Sequence, residues 1–571
     1  MIAILTHRDE LFIGRIDYLC VGKLTHTSRT IPQLILFSMA EFLDMSRHEA
    51  WAEAAEGTWD LVVVGGGITG AGIAREAARL GLSVLLLEQK DFAWGASSRS
   101  SKMIHGGLRY LKERQIQLTR EAVREREHLL REGKGLVEPL NFLYVVYKGD
   151  RPGAWTLDFG LTVYDLLRSS RRTFSAHDAI DISMLAPNLK LEGLRGGFVY
   201  TDAQTDDARL VIRVLREAEH AGARTLNYAT VEEIDQTSLR DQCVLAVEDS
   251  ESGNRVEIKT RLAVKATGAW SGELGTPGDE SLRLRPLRGS HLVFPWEKLP
   301  AAQAVTFAHP EDGRPVFAYP WEGVTIGGTT DLDHAEPLSS EPFITPEESN
   351  YLFDALRARF TGHALSTHDL LGTFAGVRPV VFGGQDKPSQ EPRELIIHKD
   401  GNVVTVAGGK LTTFHSIAVQ VMQAMSVEAD SSSARLDPIL AETEQFEEMF
   451  GGMGHLGRNR LAGRLGPDLG AFLAWLETSD LERIPDTPYT WAELKWAFEN
   501  EAVMHLDDLL LRRVRLGHLL PKGGMQLREE IETRLTPHED WSPTRWQAEW
   551  KRYEELWQSS YSREPTKPKE R

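Results

Sequence analysis

At 571 residues the chain exceeds one hydrophobic core and should hold two or three domains, with the 41% hydrophobic and 26% charged residues of an ordinary globular protein. Its net charge of -18 excludes a general nucleic-acid binder, which needs a basic face, while leaving room for a local basic pocket that takes an anion. Two cysteines, Cys20 and Cys243, build neither a disulfide framework nor a metal cluster, and no apolar run approaches the roughly 18 residues of a spanning helix, so a reducing cytosolic setting, no metal and at most peripheral membrane contact are expected.

Residues 1–58 read as a poorly ordered N-terminal extension, in which Ile31–Leu43 could form one amphipathic helix and Met45 is a second candidate start. The organising stretch follows at Asp60–Lys90, DLVVVGGGITGAGIAREAARLGLSVLLLEQK. Leu61–Val64 is an apolar strand, Gly65-Gly66-Gly67-Ile68-Thr69-Gly70 fits G-x-G-x-x-G, Ala71–Leu80 is a helix, and Ser83–Leu87 is a second strand closed by Glu88. That order is a dinucleotide-binding βαβ unit. Gly65 allows the tight turn, Gly67 lets the backbone approach a pyrophosphate, and Gly70 lets helix pack on strand. The helix N-terminus at Ile68 and Thr69 offers N–H groups to phosphate, and Glu88 is placed to accept from an adenosine ribose. The motif alone leaves NAD and FAD open.

The next segment, DFAWGASSRSSKMIHGGLRYLKE, is too polar and glycine-rich for a regular element. It concentrates Ser97, Ser98, Ser100, Ser101, Lys102, His105, Arg109 and Tyr110, which suits a loop running along a cofactor and into a substrate site. Tyr110–Glu132 reads as a helix whose interleaved Arg and Glu form a solvated face. Gly197–Tyr228 reads strand, helix, strand, with Asp206 and Asp207 at the helix N-terminus as caps rather than catalytic acids. Cys243–Val247 and Arg255–Leu262 form a hairpin feeding a buried strand that ends at Gly268 and returns the chain to the first domain. Leu284–Asp331 alternates with period two, which predicts an antiparallel sheet with one buried face. Thr345–Phe360 is a helix opened by Thr-Pro-Glu-Glu. Leu395–Ala407 is a hairpin turning at Asp400-Gly401, and GGKLTT at 408–413 is a second glycine turn that faces phosphate or flavin and opens a helix. Beyond 437 the texture is helical and holds half of the 14 tryptophans as helix-packing residues. Leu494–Leu520 is its most strongly helical stretch, with His505, Asp507 and Asp508 on an exposed charged face rather than in a metal site.

In order, DLVVVGGGITGAGIAREAARLGLSVLLLE, SSRSSKMIHGGLRYL, TDDARLV, ATGAW, GSHLVFP, IGGTTD, GVRP and GGKLTT resemble the FAD-dependent, aerobic-type glycerol-3-phosphate dehydrogenases. The helical tail, including HLDDLLLRR, resembles that family's C-terminal domain. The resemblance implies an α/β fold: a glycine-oxidase-like FAD-binding Rossmann-type domain, an antiparallel-sheet substrate domain and an all-α C-terminal domain. The expected division is an FAD-dependent oxidoreductase region over 59–436, with a discontinuous FAD-binding domain at 59–135, 195–275 and 365–436, a substrate domain at 136–194 and 276–364, and a helical domain at 437–571. The implied activity is oxidation of sn-glycerol 3-phosphate to dihydroxyacetone phosphate by hydride transfer to FAD, with electrons passed to a membrane quinone. The implied location is cytoplasmic, on the inner face of the cell membrane, and family members are commonly dimeric. Three alternatives stand beside it: oxygen as the acceptor, an amine or amino-acid oxidase of the same superfamily, or a flavin-binding regulatory or scaffold protein without turnover.

An extended FAD must be held at both ends, which a plain NAD domain does not require. The implied cofactor residues are Gly65, Gly67, Ile68, Thr69, Gly70 and Glu88 in the first βαβ unit, Ser97, Ser98, Ser101, Lys102, His105 and Gly106 in the polar loop, and Gly268, Gly409, Lys410, Leu411 and Thr412 later in the chain. For the substrate, Arg109, Arg378 and Lys410 are cations in glycine-flanked loops, where arginine clamps a phosphate by two bonds and lysine acts as a point charge. Tyr110 adds a further donor, and Arg393 falls where the family often carries an arginine, although its flanks match poorly. Proton removal from the alcohol is left open among Arg378, His291 and His105.

Overall fold

Val62, Val63, Leu85 and Leu86 are fully buried, as strands covered on both faces require. The computed structural model describes residues 46–107, 116–150, 157, 160–162, 174–236, 241–272, 283–362, 365–384, 391, 395–430, 432–437, 454–476, 481–536, 538 and 540–566. Among these, the first sheet runs Ile396–Asp400, Val403–Ala407, Arg255–Lys265, Thr58–Val64, Val84–Leu87, Arg224–Leu226. Thr58–Val64 is parallel to both neighbours, with Val63 opposite Leu86 on one side and Val264 on the other. Strand Arg255–Lys265 serves twice, pairing antiparallel with Cys243–Asp249 and parallel with Thr58–Val64. This is how the hairpin returns the chain to the first sheet. Helices Ile68–Arg79, Asp207–His220 and Phe414–Ala424 cover one face through Ala71, Leu210 and Ile417. The other face packs Trp59, Leu85 and Leu245 with Ala54.

Ala54 belongs to a helix, Arg47–Glu56, and its carbonyl accepts the Trp59 indole N–H at 3.2 Å. The end of the expected extension is therefore an ordered element docked on the sheet; the rest of it, and its Ile31–Leu43 segment, lies outside the described residues. His48–Arg571 clusters as one unit.

The second sheet runs Leu332–Asp333, Leu284–Pro295, Val324–Gly328, Pro315–Trp321, Ala304–Ala308, Val137–Tyr147, Leu194–Thr205, Met103–Ile104. Strand Gly372–Val381 lies antiparallel along Leu284–Pro295, with Leu287 opposite Arg378 and His291 opposite Phe374. Period-two alternation predicted one solvated face, but both faces are covered. Leu292, Phe294 and Ala318 pack on Leu352 and Phe353 of helix Pro346–Arg359, which begins with a Thr345/Glu348 capping box. Val293, Tyr319 and Ile326 pack instead against Leu509, Trp550 and Trp557 of the C-terminal region. Strand Leu194–Thr205 of this sheet runs directly into helix Asp207–His220, which rests on the first sheet, so the two sheets meet at Asp206 and Asp207.

Two charged segments depart from expectation. Helix Ile116–Glu132 buries Glu125 and Arg126 instead of solvating them; Glu125 accepts from Arg435 at 2.7 Å, and Arg126 pairs with Asp202. The Leu494–Leu520 stretch is not one helix. Helix Trp491–Asn500 ends, a π-helical turn spans Asp508–Arg513, and a short helix covers Leu516–Leu519, with Ala502 and Arg515 in the left-handed region at φ 51° and 55°. Asp507 and Asp508 are buried rather than exposed, with Arg512 and Arg513 buried beside them, and His505 is half-buried. Opposite charges delivered by distant segments make that burial tolerable, which helical periodicity cannot reveal. Trp491, Trp496, Trp541, Trp546, Trp550 and Trp557 are buried as packing residues. Among the described residues no helix is long and apolar enough to cross a membrane.

Candidate active site

One cavity of about 1610 Å³ is lined by residues of both sheets and the loops between them, larger than the roughly 300–1,000 Å³ of an ordinary ligand pocket. At one end it is lined by Gly65, Gly67, Ile68 and Thr69 of the glycine turn and by Glu88. Gly65 sits at φ 116°, and a Cβ there would lie 2.4 Å from the Ala266 carbonyl. A Cβ on Gly70 would lie 1.8 Å from the Gly65 carbonyl, so Gly70 packs helix on strand and does not face the cavity. No side chain caps helix Ile68–Arg79, which leaves its N-terminal N–H groups aimed at the lumen. The Ile68 N–H is an exception, donating to Ser97 Oγ at 3.1 Å. Glu88 accepts the Gly66 N–H at 2.7 Å, and burial raises its pKa above the usual carboxylate range. Ribose hydroxyls donating to that carboxylate would offset the desolvation. An uncapped helix end, a glycine cradle and a buried acid fit the pyrophosphate and ribose of a dinucleotide.

The polar loop forms the next wall. Ser97, Arg99, Ser100, Ser101 and His105 line the cavity; Ser98, Lys102 and Gly106 do not. Lys102 points away from the lumen, donating to Asp207 Oδ1 at 2.9 Å and to the Ser98 carbonyl at 3.2 Å. Burial, with Arg515 beside it, holds the Lys102 pKa down to about 8. Asp206 is the helix cap expected, accepting the Arg209 N–H, but Asp207 is a buried hub for the loop. His291 also stands behind the wall. Its Nε2 is 2.9 Å from Ser101 Oγ and its ring stacks on Phe374 at 4.5 Å. Burial, then the Arg378 and Lys102 charges, keep its pKa well below the ordinary value, so it is neutral.

Gly268, Gly409, Lys410, Leu411 and Thr412 also line the cavity, following strands parallel to the one that leads into Gly65, and Arg378 sits on the wall from strand Gly372–Val381. Arg378 donates from Nη1 to Asp331 Oδ1 at 3.0 Å and from Nη2 to Thr329 Oγ1 at 3.1 Å, which fixes the plane of its guanidinium. Arg109, Tyr110 and Arg393 lie outside the described residues. Sequence reasoning did not single out Arg314, Thr329, Asp331, Trp270, Tyr144 or Tyr200, all of which line the cavity. Thr329, Asp331 and Trp270 were present in the quoted IGGTTD and ATGAW motifs, so a signal existed; Arg314 and the tyrosines carry none.

Fold and site together define a flavin-dependent oxidoreductase. A family model described as FAD dependent oxidoreductase matches residues 60–418, and one described as the C-terminal domain of alpha-glycerophosphate oxidase matches 453–546. The aerobic glycerol-3-phosphate dehydrogenase of Staphylococcus aureus is 31% identical over 518 residues, 86% of this chain and 92% of that protein. The glycerol-3-phosphate dehydrogenase of Bacillus halodurans complexed with FAD superposes with a TM-score of 0.72 at 26% identity, covering 93% of this chain and 100% of that one. The FAD-bound L-alpha-glycerophosphate oxidase of Mycoplasma pneumoniae shares the fold, with a TM-score of 0.55 at 17% identity over 67% of this chain and 99% of that one. The chain belongs to the FAD-dependent glycerol-3-phosphate dehydrogenase family, and FAD is its cofactor.

Proposed function

We propose that the chain oxidises sn-glycerol 3-phosphate to dihydroxyacetone phosphate and passes the electrons to a membrane quinone, working as a peripheral protein on the inner face of the cell membrane. One observation carries the substrate reading. The cavity that holds the dinucleotide-binding turn is also lined by Arg314, Arg378 and Lys410, with Asp331 beside Arg378, on a chain whose net charge is -18. Cations on that wall, against the overall charge, suit a phosphate dianion, and the relatives in Staphylococcus aureus and Bacillus halodurans are glycerol-3-phosphate dehydrogenases.

Bound FAD supplies the hydride acceptor for the carbinol carbon. The residues of the chain do the rest. Arg378, oriented by Asp331 and Thr329, presents a fixed guanidinium to the substrate anion and to charge developing on its oxygen. Lys410 adds a second positive charge from the GGKLTT turn. The hydroxyl proton has two exits: directly to the His105 ring, or through Ser101 Oγ to His291 Nε2. His291 is neutral, and burial with the Arg378 and Lys102 charges opposes its protonation, so it accepts a proton only transiently.

Anaerobic addition of sn-glycerol 3-phosphate to the purified holoenzyme should bleach the flavin absorbance band. An unbleached flavin sinks the substrate reading. Quinone reduction measured against peroxide release separates the quinone acceptor from oxygen, and flotation with liposomes of bacterial lipid tests the peripheral location.

A further inference from the structure

The loop that carries Ser97, Ser100 and Ser101 to the cofactor is held on its far side by residues more than four hundred positions away in sequence. In front, Ser97 Oγ accepts the Ile68 N–H of the glycine turn at 3.1 Å. Behind, the fully buried Asp207 carboxylate accepts Ser100 N–H at 2.9 Å and Ser100 Oγ–H at 2.7 Å on one oxygen, and Lys102 Nζ at 2.9 Å, Arg515 Nη2 at 2.8 Å and the adjacent Ala208 N–H at 3.0 Å on the other. Both carboxylate oxygens are thus fully engaged. The same Arg515 nitrogen donates to the Ser98 carbonyl at 2.9 Å, so the arginine holds the loop's backbone and its anchor together.

The other end of the segment is gripped in the same way. Asp91, three residues beyond Glu88 and fully buried, accepts Arg513 Nη1 and Nη2 at 2.8 Å each and is paired with Arg512 Nε. Between the two grips, Arg99 donates from Nε to Tyr561 Oη at 3.2 Å, and both residues bond Glu341. Arg512, Arg513, Arg515 and Tyr561 all belong to the C-terminal helical region, and none of them lines the cavity. Arg515 reaches its place from a left-handed backbone at φ 55°, a conformation a non-glycine residue adopts at a cost and keeps where its surroundings hold it.

We propose that the turn Arg512–Arg515 is a clamp that sets the cofactor loop Asp91–Lys102, so that FAD affinity is coupled to the docking of a segment that does not line the cavity. Arg512, Arg513 and Arg515 are positioning residues, acting through Asp91, Ser98 and Asp207. By linkage the coupling runs both ways: bound FAD holds the loop, and the held loop keeps the turn docked.

FAD retained by the holoenzyme through serial dilution and ultrafiltration gives the dissociation constant. Arg515→Ala should raise it tenfold or more, and Arg515→Lys, which keeps one charged donor, should recover part of that loss. Phe472→Ala, in the separate Phe472–Trp475–Trp496 cluster of the same region, should lower the unfolding midpoint while leaving the dissociation constant within twofold. Arg515→Ala within twofold of the parent overturns the clamp, and so does Phe472→Ala losing flavin equally. Hydrogen exchange on the unsubstituted protein gives an arm that needs no variant. Stripping FAD should speed exchange over 508–516 together with 97–102, whereas faster exchange at 97–102 alone overturns the coupling.

Discussion

Ser101 Oγ lies 2.9 Å from His291 Nε2, and of the two it is the serine that lines the cavity. Phe374 covers one face of the imidazole, and a Cβ on Gly328 would sit 2.4 Å from His291 Cδ2, so the ring is closely packed where it stands. The serine and histidine therefore act as one unit. Ser101→Ala and His291→Gln should each lower kcat by on the order of 10²-fold with KM little changed, the double variant being no worse than either single. His105→Gln should spare kcat by comparison. Because the His291 pKa is held well below its ordinary value, the kcat profile should show no acid limb from this residue near about pH 6.5. Additive losses in the double variant would show that the two residues do not form a relay.

Arg378 offers the plainest kinetic test. Removing a charge-assisted bond costs about 1.5–3 kcal/mol, so Arg378→Ala should lower kcat/KM for the phosphorylated substrate by roughly ten- to a hundredfold, in both KM and kcat. Asp331→Asn keeps the arginine but weakens the bond at 3.0 Å that aims it, and should produce a smaller loss. Near-parental steady-state kinetics in Arg378→Ala would remove it from the site.

The glycines of the first turn separate binding from folding. A Cβ on Gly67 would stand 3.1 Å from Ser97 Oγ, a side chain that can shift, in the space that faces the lumen. Gly67→Ala should weaken FAD binding and leave the melting temperature of the flavin-free protein nearly unchanged. Gly70→Ala drives a methyl to 1.8 Å from the Gly65 carbonyl, where only backbone can move. It should lower that melting temperature by several degrees or prevent folding. Equal effects on stability from the two substitutions would contradict this division.

Buried histidines give stability an opposing pair of pH dependences. Burial works against protonation of His505, but hydrogen bonds to Glu251 and Glu549 raise its pKa to about 10. The folded state then holds a proton the unfolded chain gives up, so this contribution is complete below about pH 6.5 and is lost as pH rises toward 10. His291, His415 and His518 behave oppositely. Burial first, then neighbouring arginines and Lys102 in the cases of His291 and His518, lower their pKa values, to about 3 for His415. The unfolded chain binds those protons below about pH 6.5 and the folded chain does not, so stability falls with falling pH there. His505→Gln should flatten the alkaline side of the thermal-stability profile and leave the acid side as it was.

Local residue order by itself determined the flavin half of this protein. A strand, a glycine turn, a helix and an acid dictate their own geometry, because backbone conformation at Gly65 and close packing at Gly70 are local requirements, and the motifs that follow gave the family and the cofactor. The capped helix at Thr345 and the hairpin at Asp400 were legible for the same reason. What lay beyond reach was everything decided by charges meeting from distant segments. Asp207 reads as one more helix-capping acid until Lys102 and Arg515 arrive on it. Asp507 and Asp508 read as part of a solvated helical face until Arg512 and Arg552 pair with them in the interior. His291 and Lys102 have the chemistry of site residues, yet folding places both behind the wall. A buried ion pair leaves no periodic trace in either of its segments, since each partner alone is an ordinary surface charge. Only the tertiary structure brings the partners together, and with them the loop on which the chemistry stands.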